Sequence, residues 1–252
     1  MFTYSAPSTL LRGRNILVSG AGSGLGRAAA RAYAAHGATV LLLGRDETKL
    51  NATYDAIVAA GHPEPALFVL DLQRAGEADY QHLQQVLANE FGVLHGLLHS
   101  AGVNAQSLPL EYQNLGTWQQ VLQINLTAAF ALTTACLPLL RQAERASVIF
   151  TSANEGRKPR AFRGPYAIAK HGVEALVDIL AEELGETSGI RVNSLDPGPC
   201  ATALRKVAFP QENPTTLPTP DSLMPLYLYL MGDDSVKANG QRFSAQAVSA
   251  SD

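Results

Sequence analysis

The sequence predicts an α/β chain built on a doubly wound, mostly parallel sheet with helices on both faces. Three observations predict it. Short apolar runs alternate with helical stretches over most of the 252 residues, the rhythm of parallel strands joined by crossover helices. The apolar runs are nearly continuous, as strands covered on both faces require. A glycine-rich turn, "GAGSGLG" at 20–26, joins the first apolar run to the first helical stretch, the context in which such a turn has a mechanism.

The elements follow in order. "NILVSG" (15–20) is a short apolar run ending in glycine and reads as a buried strand. The Ala-rich stretch 25–37 is helical, and Gly37 is placed to end it. "ATVLLLG" (38–44) is a second strand. Residues 46–61 open on acidic side chains suited to a helix N-terminus and close on glycine. "ALFVLDL" (66–72) is a third strand. A helix near 78–91, a strand at 94–100, a long helix near 115–142, a strand at 146–152, a helix near 164–185 and a strand at 190–195 continue the alternation. Residues 197–222 are rich in Pro and Thr and read as a loop with a short helix; 223–232 resumes a helix and 240–245 is a last strand. Six or seven strands result, in one domain spanning 1–252.

Composition narrows the function classes. Apolar residues make up 46% and charged residues 16%, enough for a large core and too little charge for disorder. The formal net charge of -3 argues against nucleic acid as partner, which calls for a basic excess. Two cysteines, Cys136 and Cys200, make no disulfide framework and fit a reducing, cytoplasmic setting. The first residues lack the basic start and apolar run of a signal peptide, and no apolar run reaches the ~18 residues of a membrane span. No Cys/His cluster has metal-ligand spacing, so no metal is expected.

In a doubly wound sheet the ligand sits at the carboxyl ends of the strands, where strand order reverses. After the first strand, Gly20, Gly24 and Gly26 tolerate a left-handed backbone and let it approach a pyrophosphate, which free N–H groups of the next helix attract. The bland alternative is a tight turn with close helix packing. After the second strand stands Arg45, where NAD sites usually carry a carboxylate for the ribose 2′-OH. A guanidinium suits a 2′-phosphate, so NADP(H) is favoured over NAD(H), although Asp46 follows directly and NAD(H) stays open. Asp71, ending the third strand, suits either the adenine amino group or a local capping role.

"YAIAK" (166–170) places Tyr166 and Lys170 one helical turn apart on one face. A phenol with pKa near 10 is a weak acid–base at neutral pH. A neighbouring ammonium and an oxidised nicotinamide favour the phenolate and lower that pKa. Together with "SGAGSGLG" (19–26), "HSAG" (99–102), Asn125 in "QINLTA" and "NSLDPGPCAT" (193–202), these residues give the chain a resemblance to the short-chain dehydrogenase/reductase family over nearly its whole length. It looks most like a bacterial branch with no assigned substrate. The resemblance implies a single-domain Rossmann sheet of seven strands and reversible hydride transfer between NAD(P) and a small alcohol or carbonyl. It implies Tyr166 as acid–base, Lys170 on the nicotinamide ribose, and Asn125 holding a water in line with Lys170. It also implies a cofactor lining from Gly20, Ser23, Gly24, Leu25, Gly26, Arg45, Asp71, Leu72, Ser100, Ala101, Gly102, Pro197, Gly198 and Thr202. The loop near 197–222 resembles the family's substrate lid, and the helices near 115–142 and 164–185 resemble those that pair subunits into a homo-dimer or homo-tetramer.

Two positions depart from the family pattern. Ser100 replaces an asparagine, which puts sheet hydrogen bonds in doubt. Ala153 stands thirteen residues before Tyr166, where a serine normally orients the substrate oxygen. Three outcomes are open: Ser152 is brought round as substitute donor, Asn154 donates through its amide, or the donor is lost. Losing one such donor costs about 10² to 10³ in rate. An alternative therefore stands beside the oxidoreductase: a nucleotide-binding sensor or assembly protein with weak or vestigial chemistry. Finally, the basic run "GRKPRAFRGP" (156–165) is either a solvated loop or an attractor for an acidic substrate. His99 and His171 adjoin motif residues and receive no role.

Overall fold

The computed structural model describes residues 1–185 and 188–246; the reading of one domain over 1–252 and the helix near 164–185 therefore meet the limit of the described residues at 186–187 and 247–252. Seven strands form one sheet, β1 (Asn15–Ser19), β2 (Thr39–Gly44), β3 (Ala66–Val69), β4 (Gly96–His99), β5 (Ala146–Thr151), β6 (Ile190–Asp196) and β7 (Arg242–Ser244). Their spatial order is β3-β2-β1-β4-β5-β6-β7, and every neighbouring pair is parallel. The helices are α1 (Gly24–Ala35), α2 (Glu47–Ala59), α3 (Glu77–Glu90), α4 (Leu115–Leu122), α5 (Ala128–Leu140), α6 (Asn154–Arg157), α7 (Gly164–Gly185), α8 (Ala203–Ala208) and α9 (Met224–Met231).

Alternation along each strand divides the core. Ile16, Val18 and Leu42 join α1 and α9 on one face; Leu17, Leu41 and Leu43 join α3, α5 and α7 on the other. The chain leaves β1 toward β2 and β3, then crosses to β4 on the opposite side of β1. The carboxyl ends of β1 and β4 therefore diverge and open a crevice.

The long helix expected at 115–142 is three pieces. A π-helical turn, Gln123–Thr127, separates α4 from α5. The composite Leu115–Leu140 is, among the described residues, one stretch long and apolar enough to cross a bilayer, and an 18-residue window within it has a mean hydropathy of 1.4. Here α5 packs against α3 and α4 against α7. Strand ends at 94–100 and 240–245 are shorter than expected, and the 197–222 loop contains α8 and two 3₁₀ turns, Pro214–Thr216 and Pro220–Leu223.

One buried cation ties the last helix down. Arg191 on β6 donates to the carbonyls of Leu230, Gly232 and Ser235, satisfying the C-terminal end of α9.

Candidate active site

The site is built around the turn after β1. Gly20 has φ +71°, and a Cβ there would lie 2.8 Å from the Ala101 backbone, so only glycine lets the β1 and β4 ends approach this closely. The Ser19 hydroxyl accepts from the Ser100 and Ala101 amides at 3.1 and 3.2 Å. This bond pins the junction from the β1 side, so the sheet contact does not need an asparagine at position 100. Ser23 precedes α1 and makes no side-chain cap, leaving first-turn N–H groups open to an anion. Gly26 has a different task. A Cβ there would meet the Gly20 carbonyl oxygen at 2.3 Å, so it seats α1 on the turn, and it lines neither cleft described below.

Two adjoining clefts share Gly20, Ser23, Ala101 and Gly102 in their walls. The smaller, about 190 Å³, is lined by Arg45, Asp71 and Leu72. Arg45 is exposed. Asp46, which follows it, accepts from the Lys49 amide at 3.1 Å as the cap of α2 and pairs with the Lys49 ammonium at 2.9 Å. These bonds hold its carboxyl below the usual value and turn it to its own helix. Asp71 accepts from the Gln73 amide at 3.1 Å, so the local capping role is filled.

The larger cleft, about 600 Å³, brings together Ser100, Asn125, Tyr166, Lys170, Pro197 and Thr202, with Gly24, Leu25 and Gly198 beside them. α7 presents Tyr166 and Lys170 from one face. The Lys170 nitrogen lies 5.7 Å from the Tyr166 ring centroid and donates to the Thr151 carbonyl at 2.7 Å. Burial lowers the Lys170 ammonium to about 8, against the opposing pull of Glu174, Asp196 and Glu155. Burial drives the Tyr166 phenol upward, and Glu155 adds to this while Arg163 opposes it. The sequence argument had the ammonium winning; in the chain alone desolvation wins, because the same burial that raises the phenol also weakens the cation beside it.

Asn125 sits in the π turn. Its amide donates to the carbonyls of Val103 at 2.9 Å and Val121 at 2.8 Å, while its Oδ1 is buried without a partner. A Cβ on Gly102 would lie 2.9 Å from that oxygen. A small cavity of about 10 Å³ touches Asn125, Thr151, Lys170 and His99. His99 is buried, meets the Thr133 hydroxyl at 2.8 Å and stacks on Phe150 at 4.4 Å. Burial and Lys170 hold it neutral, with its pKa down at about 3.

The strand end after β5 separates the two substitute donors. The Ser152 hydroxyl is fully enclosed without a partner, 2.9 Å from where a Gly156 Cβ would stand. The residue itself belongs to the cleft wall, but its hydroxyl oxygen is enclosed beside Gly156 and not open to the cleft. Asn154 and Ala153 line the cleft. Ala153 packs with Ala105, Val121, Tyr166 and Ala169 as a small apolar group.

Pro197 and Gly198 form the far wall. The Asp196 carboxylate accepts from the Gly198 amide at 2.8 Å, and the Gln246 amide donates to the carbonyls of Pro197 and Pro199 at 2.8 and 2.7 Å. The Thr202 hydroxyl accepts from the Arg205 amide at 3.2 Å and so caps α8, while its methyl lies against Gly24.

Sequence reasoning missed the mouth of this cleft. The Phe209 ring meets two guanidinium groups, 4.7 Å from Arg163 and 3.7 Å from Arg205. Arg163 bonds Glu155 at 2.9 Å and Ser107 at 3.2 Å; Arg205 holds Glu212 with two bonds, 2.7 and 2.9 Å. Arg157 donates to Ser244 and the Phe243 carbonyl. The run at 156–165 is therefore no uniformly solvated loop. Its one visible signal was the basic charge between the two motif strings.

The sequence profile described as short chain dehydrogenase matches residues 14–213. The uncharacterized oxidoreductase YciK of Escherichia coli K12 is 44% identical over 243 residues, covering 96% of this chain and 96% of YciK. A solved Pseudomonas syringae chain, assigned to the short chain dehydrogenases, is 48% identical with a TM-score of 0.96, covering 98% of this chain and 100% of that one. A Shigella flexneri 2a chain with the same assignment, solved in complex with NADP, is 44% identical with a TM-score of 0.93, covering 96% and 100%.

Proposed function

The chain belongs to the short chain dehydrogenase family, and from that premise we propose an NADP-preferring oxidoreductase that interconverts a small carbonyl compound and its alcohol, with Tyr166 as acid–base. The observation that carries this reading is the meeting of Tyr166 and Lys170 in the cleft whose wall includes the glycine turn. The residues present fit a dinucleotide: the Gly20 and Gly102 approaches would be filled by a Cβ, and the α1 N-terminus lacks a side-chain cap.

NADPH, held by the glycine turn and the adjoining cleft, would supply the hydride for the carbonyl carbon. The chain supplies the rest. Arg45 takes the 2′-phosphate, and Asp46, tied to Lys49, does not compete for the ribose; the NADP complex of the Shigella relative supports this preference. Tyr166, held protonated by burial, gives its proton to the carbonyl oxygen as the carbon is reduced. Lys170, titrating near neutrality, returns a proton to it. Asn125, through the small cavity it shares with Lys170, serves the route to solvent. Asn154 orients the substrate oxygen in place of the enclosed Ser152. The segment 197–222 acts as the lid over the cleft. Exposed Leu115, Phe130, Ile168 and Ile179 on α4, α5 and α7 form the surface of a homo-oligomer, and the protein works in the cytoplasm.

The apolar packing of Ala153 favours a second reading, a nucleotide sensor with vestigial chemistry. Thermal shift with NADPH and NADH, followed by a carbonyl panel, separates the two. A nucleotide at 100 times its Kd adds about 2.7 kcal/mol of stability. The oxidoreductase reading predicts a larger shift with NADPH and NADPH oxidation with at least one carbonyl. A shift without turnover on any carbonyl supports the sensor.

A further inference from the structure

Apart from Lys170, the larger cleft carries charges that hydride transfer to a neutral carbonyl does not use. Four basic side chains, Arg160, Arg163, Lys170 and Arg205, and two acidic ones, Glu155 and Asp196, line the cleft, in a chain whose formal net charge is -3. Burial raises the Asp196 carboxyl, which reduces its weight as an anion. Glu155 is already matched to Arg163, and Arg205 is matched to Glu212. Arg160 is exposed, and among the described residues its side chain has no hydrogen bond or ion pair. The Arg163 Nη2 is likewise without a hydrogen bond, while Nε and Nη1 fix the guanidinium on Glu155 and Ser107. That guanidinium stands 5.7 Å from the Tyr166 ring centroid and 4.7 Å from the Phe209 ring. The mouth thus offers a fixed cation near the phenol ring, an exposed cation without a side-chain partner, and an aromatic ring against Arg163 and Arg205.

We infer that the cleft takes oxo acids, carbonyl compounds carrying a carboxylate that Arg160 and the free edge of Arg163 hold while the oxo group faces Tyr166. This rests on the oxidoreductase reading above and names its substrate class. A guanidinium fork matches a carboxylate in plane and in charge. Arg163 already binds one carboxylate, that of Glu155, at 2.9 Å, so its orientation suits the group. The Phe209 ring covers the carbon chain that links the two functions. The reaction balances as for any carbonyl: the carbon takes hydride from NADPH, the oxygen takes the Tyr166 proton, and the products are a hydroxy acid and NADP⁺. The carboxylate itself stays unchanged.

The test pairs α-, β- and γ-oxo acids, with alkyl and aryl chains, against the methyl ester of each. The expected result is a kcat/KM at least about tenfold higher for the acid, the worth of a charge-assisted hydrogen bond, falling with ionic strength. Arg160→Ala lowers the acid-to-ester ratio by about tenfold through KM. Lys158→Ala, which removes a charge from the same loop outside the cleft, leaves the ratio unchanged. A second readout does not need turnover: calorimetric titration of the same acids and esters into NADP⁺-loaded protein, where acids bind tighter and Arg160→Ala removes the difference. If no compound oxidises NADPH but the acids still bind selectively, the oxidoreductase reading fails and the anion site stands. Esters equal to or better than acids in both assays, or a ratio untouched by Arg160→Ala, overturn the inference.

Discussion

Tyr166 and Lys170 sit under opposing demands. Burial keeps the phenol protonated and drives the ammonium toward its neutral form, at about 8. The Lys170 shift has a consequence for stability. An unfolded lysine stays charged up to about 10.5, so between roughly pH 8 and 10.5 this group binds more protons in the unfolded chain, and its contribution to stability rises with pH across that window, against the opposite contribution of the buried Cys136 and Cys200 thiols. Lys170→Met is expected to flatten that part of the profile of melting temperature against pH. An unchanged slope would show that the lysine is not the group responsible. The donor question belongs to this scale as well. Asn154→Ala is expected to lower kcat by about 10², whereas Ser152→Ala, with its hydroxyl enclosed, should leave kcat within a factor of about two; rates for the two variants decide it. Tyr166, Lys170 and Asn125 were readable because four-residue spacing and motif order survive in one dimension. Ser152 and Asn154 could not be separated, because which side of a strand end faces the cleft is set by β6 and α7. For Arg163 the sequence left a solvated charge and an attractor for an acidic substrate both open, since its partners Glu155, Ser107 and Phe209 lie far apart in sequence.

The β1–α1 junction was almost wholly legible: strand, glycine turn and helix stand in the order the mechanism needs. What the pattern did not separate is which glycine serves a ligand and which serves packing. Gly26 serves packing, since a Cβ would stand 2.3 Å from a backbone oxygen that cannot move independently. Gly26→Ala is expected to cost about 1–3 kcal/mol, read as a lower denaturant midpoint, and to weaken NADPH binding by tilting α1. A midpoint equal to wild type would refute that packing role. The π turn at Gln123–Thr127 was invisible because local propensity favours continuous helix there. Its cause is tertiary: the Asn125 amide bridges Val121 to Val103 in the loop after β4, and the wider turn brings that side chain to the cleft. β4 ends on His99, buried and neutral. Its pKa of about 3, against 6.5 when unfolded, means stability is fully present above about pH 6.5 and falls as pH drops through that value toward 3. Acid titration of melting temperature should show this loss, and His99→Gln should reduce it; identical acid profiles would remove His99 as the source.

Across the whole molecule, the sheet order β3-β2-β1-β4-β5-β6-β7 decides where chemistry can occur. It places the glycine turn, Ser100–Gly102, the β5 end and Pro197–Gly198 along one edge of strand termini, and α7 brings Tyr166 and Lys170 to the same edge. The alternation of apolar runs made this architecture legible early, because parallel strands buried on both faces leave little room for polar residues. The segment 197–222 was less legible. Its composition announced a loop, but the approach of Arg163 and Arg205 to the Phe209 ring, with Arg163 also near Tyr166, depends on the three-dimensional fold. The central claim is that this edge binds NADPH and that the Tyr166 phenol moves the proton. Its most direct test measures NADPH affinity and carbonyl-dependent NADPH oxidation on wild type and Tyr166→Phe side by side. Affinities within about twofold are expected, with turnover lower by about 10² to 10⁴ in the variant. Undiminished turnover in Tyr166→Phe, or NADPH that binds neither protein, would contradict it.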